Sequence, residues 1–318
     1  LIALQRIVQS FRHRNDWQSR RSSRVYAAGY AARCLVAPLR HLRWLALLQA
    51  HPALRAAALR DGRLVERWQH RFISRRFGAR KRLDALMDHY GFVVSALPHG
   101  LLERMMADGQ VLLADAAMKN GESLRVLLMP PTRKGCEGEL NLALATSDDT
   151  LLFSATITIL PSTGEVLIGC LQGPNTEDGQ ERVRLVTRQC HGLRPKNLLL
   201  SLLYGFAAAH GLPRLRGISN DGHARSGRIK ASYDTFWIES AGVLARDGFF
   251  DLPSMEAERS ELEVVSKHRS AFRQREALRR ELVAGTMSAL SLPNVDALGA
   301  VEALGVLEAG NDETLRAA

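Results

Sequence analysis

The sequence predicts an α+β fold in which a basic helical N-terminal region precedes a mainly antiparallel sheet packed with helices. Three observations lead there. Apolar residues recur at helical spacing up to about residue 90, give way near residue 110 to short alternating or β-branched runs, and return to helical spacing from about residue 180. The 318-residue chain is 46% hydrophobic and 24% charged, a globular composition that excludes collagen, coiled-coil arrays and wholesale disorder. The expected division is a basic arm or cap over residues 1–90, an α+β core over 91–284 and a loosely ordered tail over 285–318.

Between Tyr26 and Met87, the spacing of Leu35, Leu39, Leu42 and Leu45, then of Leu59, Leu64 and Trp68, suits two or three helices with turns near Pro52 and Gly62. Their polar faces are rich in arginine. Such helices can lie on an anionic membrane leaflet with Trp44 and the leucines inserted, bind nucleic acid, or present a solvated face with arginine stems over the body. The runs 111–118, 124–129, 140–145, 151–160 and 166–172 read as strands, parted by Asn120-Gly121, Pro130-Pro131, Ser147-Asp148-Asp149 and Ser162-Thr163-Gly164. The last two form the clearest hairpin. Helices follow over 180–190 and 196–210, the second closed by Gly211 with Pro213 beyond, and a strand over 214–219 comes next. A charged helix is expected from Met255 to Val283.

Lys and Arg number 43 against 33 Asp and Glu, but residues 1–82 hold 19 cations and three acids, a local +16 that leaves the remainder at −6. Long-range attraction to a partner therefore belongs to the arm. No helix-turn-helix, zinc-finger or RNP-type aromatic pattern accompanies the arginines, which disfavours nucleic acid. Cys34, Cys136, Cys170 and Cys190 stand far apart with no His at ligand spacing, so no metal site is expected and the thiols read as reduced. Neither a secretory-signal pattern nor an apolar run of about 18–20 residues is found. The expected location is the cytoplasm, or the inner membrane as a peripheral protein.

Chemistry-bearing residues gather between 168 and 239. Arg194-Pro195-Lys196 precedes an apolar helix, so that Pro falls in the first turn while free backbone donors face outward. With His191 and Gly192 this turn can cradle a phosphate or a carboxylate, and Gln172-Gly173 is a second candidate turn. Cations there oppose the helix dipole, which a purely structural role does not explain. Ser219 and Asn220 end a strand, with His223 and Arg225 following; His223 has the intrinsic pKa for acid–base work. Asp234 and Glu239 do not share a helical face, which removes paired-carboxylate glycosidase chemistry. No G-x-S-x-G, P-loop or H-E-x-x-H pattern occurs. Lys267, Arg269, Arg273 and Arg275 form a second basic segment suited to phosphate or lipid headgroups.

The stretches I-G-C-L-Q-G-P (168–174), H-G-L-R-P-K-N-L-L (191–199), G-I-S-N-D-G-H (217–223), Y-D-T-F-W-I-E (233–239) and S-K-H-R-S-A-F-R-Q-R (266–275), in that order, resemble the bacterial VirK/YbjX family. With H-P-A-L (51–54) and H-Y-G (89–91), the resemblance runs from about residue 50 to 282. It implies a role in virulence or envelope homeostasis, and it carries over no catalytic residue because the family has none assigned.

Two classes of function follow. One is an accessory factor of the envelope, its basic helices on an anionic membrane surface or its Arg194 turn on a phosphate-bearing ligand. The other is a GNAT-like acyltransferase using acyl-CoA or an acyl carrier, suggested by an antiparallel meander leading through a cation-bearing turn and helix to a further strand. In that reading Arg194, Lys196 and backbone donors hold the phosphates, and His223 or Glu239 deprotonates an amine acceptor.

Overall fold

The computed structural model describes residues 2–11, 23–131, 136–174, 177–226, 232–257 and 260–291. Strands β1 (Val111–Ala117), β2 (Ser123–Met129), β3 (Leu140–Ala145), β4 (Leu151–Leu160) and β5 (Glu165–Gln172) form the expected antiparallel meander. The β4–β5 turn closes on Gly164 at φ 64°, a conformation glycine adopts without a Cβ penalty. Strand β6 (Arg214–Ile218) then pairs parallel to β5, and β8 (Phe249–Asp251) and β7 (Val243–Leu244) complete an eight-stranded sheet of order β1-β2-β3-β4-β5-β6-β8-β7. A parallel pair needs a crossover; here it consists of two helices, α8 (Gly179–Gln189) and α9 (Pro195–Ala209).

The arm divides more finely than its periodicity suggests. Its helices are α1 (Ile2–Ser10), α2 (Ser23–Cys34), α3 (Pro38–Ala50), α4 (Pro52–Arg60), α5 (Arg63–Glu66) and α6 (Ala79–Ala96), followed by α7 (Leu101–Asp108). Pro38 and Pro52 each open a helix, because proline lacks the N–H that a continuing helix would need there. The expected boundary at residue 90 falls inside α6. One contiguous core joins Trp44, Trp68 and Tyr90 of the arm to Leu142, Ile157 and Ile168 of the sheet.

α6 lies on one face of the sheet, with Asp84 and Asp88 near Leu160. On the other face Leu202 and Phe206 of α9, with Leu290 of the last helix, α11 (Arg269–Ser291), meet Leu142 and Ile157. The helix expected from Met255 is thus displaced: its first residues form turns, Ser260 Oγ accepting from the Leu262 N–H, and helix begins only at Arg269. α11 carries helix past Gly285, into the expected tail, as far as Ser291; residues 292–318 lie outside the described residues, as do the arm arginines between 12 and 22. Several arm arginines are tied to the body: Arg67 pairs with buried Glu139, and Arg75 and Arg76 with Asp221 at 2.5 and 2.7 Å, while Arg40 pairs with Asp84 within the arm at 2.9 Å.

Candidate functional site

The two basic segments read from the sequence meet at one place. A cavity of about 360 Å³ is lined by Gly192, Arg194 and Asn197 at the start of α9 and by Phe272, Arg275, Glu276 and Arg279 on α11. Local sequence explains each half. His191 and Gly192 both take positive φ, 54° and 85°, which turns the chain sharply after α8, and Pro195 then starts α9 with Arg194 at its N-cap. Arg275 and Arg279 are four residues apart on α11 and so share a face. Arg275 Nε stands 3.4 Å from Glu276 Oε1, and its guanidinium lies 5.1 Å above the Phe272 ring. Arg279 bridges Glu276 at 3.1 Å and Glu256 at 3.2 Å, while Ser201 Oγ donates to Glu256 at 2.7 Å. Arg194 is exposed, and among the described residues it makes no ion pair. Three guanidiniums thus face one lining carboxylate, a geometry suited to an anion with several acceptor oxygens.

Lys196 does not join them. Its Nζ lies 4.4 Å over the Phe236 ring of α10 (Tyr233–Glu239), and burial together with the Arg194 charge lowers its pKa against the opposing pull of Glu239. His191 turns toward Gln274 of α11; partial burial, then Lys119, lowers its pKa. Lys267 is exposed outside the helix, Arg269 donates to the Val264 carbonyl at 3.0 Å, and Arg273 reaches Glu261 at 3.5 Å. The expected four-cation patch therefore splits, and only Arg275 faces the cavity. Gln172 pairs with Ser154 at the end of β5, and Gly173 lies against Phe153, where a Cβ would come within 2.7 Å of the ring. That turn is built onto β4.

The other expected cluster is interior. β5 and β6 pair only as far as Ile168 and Gly217, and beyond that point Trp237, Tyr233 and His223 fill the space between them. Trp237 Nε1 donates to the Ile218 carbonyl at 2.9 Å, and Tyr233 Oη lies 3.3 Å from Cys170 Sγ. His223 is 1% exposed; its Nδ1 accepts from the Arg225 N–H at 3.0 Å, and its Nε2 lies 3.6 Å from Oε1 of buried Glu137. Burial lowers its pKa, opposed by Glu137. Ser219 Oγ donates to the Gly248 carbonyl at 2.8 Å, while Asn220 Oδ1 accepts from the Tyr233 N–H at 2.9 Å at the start of α10. Ile73, fully buried and at φ 56°, which is strained for a β-branched residue, bonds the Cys136 carbonyl on one side and the Ala224 N–H on the other. Glu239 is exposed on the far end of α10, and its charge acts on Lys196.

The sequence profile of a family described as protein of unknown function (DUF535) matches residues 19–287. The chain belongs to this family. DUF535 relatives include the protein YbjX of Escherichia coli (strain K12), described as uncharacterized and 26% identical over 262 residues, covering 79% of each chain. An uncharacterized protein of Haemophilus influenzae is 29% identical over 213 residues, 64% of this chain and 69% of the relative. A third relative, named membrane protein LapB, from Mannheimia haemolytica, is 30% identical over 166 residues, 51% of this chain and 69% of its own. The VirK/YbjX resemblance is thereby upheld. No solved structure matches. Within the DUF535 span, sequence reasoning missed Arg279, Glu137 and Glu139. The spacing of Arg279 from Arg275 was the available signal for the first; nothing local marks the two glutamates as buried.

Proposed function

We propose that this DUF535 protein is an accessory factor in bacterial virulence or envelope homeostasis that binds a phosphate-bearing anion in the cavity between α9 and α11. The observation that carries the reading is the convergence of Arg194 with Arg275 and Arg279, from segments some 80 residues apart, around one cavity. Guanidiniums offer paired donors in a fixed plane, the arrangement phosphate oxygens accept best. A place at the envelope draws support from the family resemblance and from the relative named membrane protein LapB. Among the described residues no helix is long and apolar enough to cross a membrane, so the association proposed is peripheral.

The acyl-transfer alternative is not favoured. A general base must reach its acceptor, whereas His223 is 1% exposed with Nδ1 engaged by the Arg225 N–H, and Glu239 lies away from it.

Titration calorimetry with inorganic phosphate, glycerol phosphate and a panel of acyl-CoAs tests the reading. The wild type is expected to bind the phosphates, acyl-CoAs to bind no tighter than their phosphate groups explain, and Arg194→Ala with Arg275→Ala to lose about tenfold or more in affinity. A wild type that binds none of the phosphates, or a double variant that binds them unchanged, overturns it.

A further inference from the structure

Among the described residues, the arm holds a surface that its own packing leaves uncovered. α2 ends at Cys34 and α3 begins at Pro38, and the corner between them carries Leu35, Val36 and Leu39 at 78%, 49% and 73% exposure. Helical spacing continues this surface along α2 through Ala32, Ala28 and Val25, all exposed. On α3 it continues through Arg43, one turn beyond Leu39. Single exposed leucines are ordinary; three large apolar side chains within five residues of a projecting corner are not. Trp44, which one of the three readings of the arginine-rich helices would insert, is fully buried, its indole N–H donating to the Val65 carbonyl at 3.3 Å.

The helices that form the corner carry charge of one sign, while buried Glu66 acts on Cys34 and Asp84 pairs with Arg40 from outside them. Between Asp16 and Asp61 the sequence contains no Asp or Glu, so α2, α3 and α4 bring arginines and no carboxylate. Asp84 of α6 pairs with Arg40 at 2.9 Å, and Arg33 donates to Gln69 at 2.8 Å. Arg24 and Arg43 remain exposed on either side of the leucines. An apolar pocket on another protein would accept the leucines but give the guanidiniums nothing to pair with. A bilayer bearing anionic headgroups accepts both, with apolar side chains at the acyl boundary and arginines at the level of the phosphates.

We propose that the corner from Leu35 to Leu39 inserts into the interfacial layer of an anionic bilayer, with Arg24 and Arg43 pairing to lipid phosphates. The inference rests on the envelope reading, to which it adds the membrane-facing element, and it uses none of the residues of the α9–α11 cavity. Insertion of this kind is shallow and reversible, since a few interfacial side chains and cations give modest partitioning compared with a spanning helix.

Flotation of the full chain with vesicles of phosphatidylcholine, alone or with about one third phosphatidylglycerol, tests this. The wild type is expected to float with the anionic vesicles only, less so as salt rises. Leu35→Asp with Leu39→Asp is expected to weaken partitioning about tenfold or more, and the milder Leu35→Ser with Leu39→Ser to weaken it in the same direction with unchanged circular dichroism. Leu185→Asp, on an exposed leucine of α8, is expected to float like the wild type. Absence of wild-type flotation with anionic vesicles overturns the inference while leaving the cavity reading to its own titration. Flotation retained by both corner variants, or lost equally in Leu185→Asp, also overturns it. So does self-association in sedimentation that depends on Leu35 and Leu39 in a chain that ignores vesicles, which would make the corner a contact between copies.

Discussion

Two buried histidines should make the fold acid-sensitive in a way that can be isolated. Trp68 Nε1 donates to His41 Nδ1 at 3.2 Å, which places the ring proton on Nε2, where it is donated to Tyr30 Oη at 2.8 Å; Tyr30 then donates to Ser10 Oγ at 2.9 Å. His89 Nδ1 accepts from the Ile159 N–H of β4 at 3.1 Å. Protonation would turn each accepting nitrogen into a donor facing a donor, and at His89 it would add charge near Arg67. Burial holds His41 down to about 4, and burial with the Arg67 charge holds His89 down to about 3, from 6.5. Both folded-state values lie below the unfolded one, so the contribution is whole above pH 6.5 and is lost as pH falls toward them. Between pH 7 and 5 each histidine costs roughly 2 kcal/mol, together about 4 kcal/mol, a large share of ordinary domain stability. Burial pushes Glu139 the other way, up to about 7, and its contribution opposes theirs over the same interval. A comparison of variants cancels it. Asparagine places an acceptor oxygen where Nδ1 stood and does not titrate. Urea unfolding of the wild type and of His41→Asn with His89→Asn, each at both pH values, should show the variant losing about 4 kcal/mol less on acidification. Equal losses in the two proteins would refute the assignment of these rings as buried neutral acceptors.

Two further predictions concern the framework of the interior cluster. A Cβ at Gly169 would stand 1.8 Å from the Glu137 carbonyl oxygen, so Gly169→Ala should cost about 3 kcal/mol or more in urea unfolding, and a loss under about 1 kcal/mol would show that the 136–139 segment is not seated there. Asn220→Ala removes the acceptor at the start of α10 and should cost about 1–2 kcal/mol, with amide exchange of Tyr233 rising; unchanged protection at that amide would count against the capping role.

The strands were legible because each carries its own evidence: alternating or continuous burial between turn residues such as Asn120-Gly121 and Ser162-Thr163-Gly164. The parallel step from β5 to β6 was not, since pairing across two intervening helices depends on which faces those helices bury. The displaced α11 has a local cause. Charged residues from 255 onward fit a helical face, but Ser260 offers the backbone a turn instead. Buried acids are harder still. Glu137 and Glu139 look like solvated loop residues, and only the packing of Ile73, Gly169 and Arg67 around them shows that one faces His223 and the other Arg67 and Tyr90.

The cavity shows where sequence reading stops and tertiary packing takes over. Gly192 and Arg194 could be named because a sharp turn followed by Pro195 is a local pattern, and Arg275 because charges clustered near it. That they meet depends on how closely α11 lies against its neighbours. At Gly205 of α9 a Cβ would stand 2.8 Å from Val283 Cγ1, and at Gly285 of α11 a Cβ would stand 3.0 Å from the Ala114 side chain of β1. Two glycines inside helices, each costing helix propensity, thus let α11 sit close to α9 on one side and to the sheet on the other. Larger residues there would push α11 outward and draw Arg275 and Arg279 away from Arg194. The proposed anion site is therefore written in two parts: cations that chemistry picks out, and glycines whose purpose becomes visible only once the helices are packed.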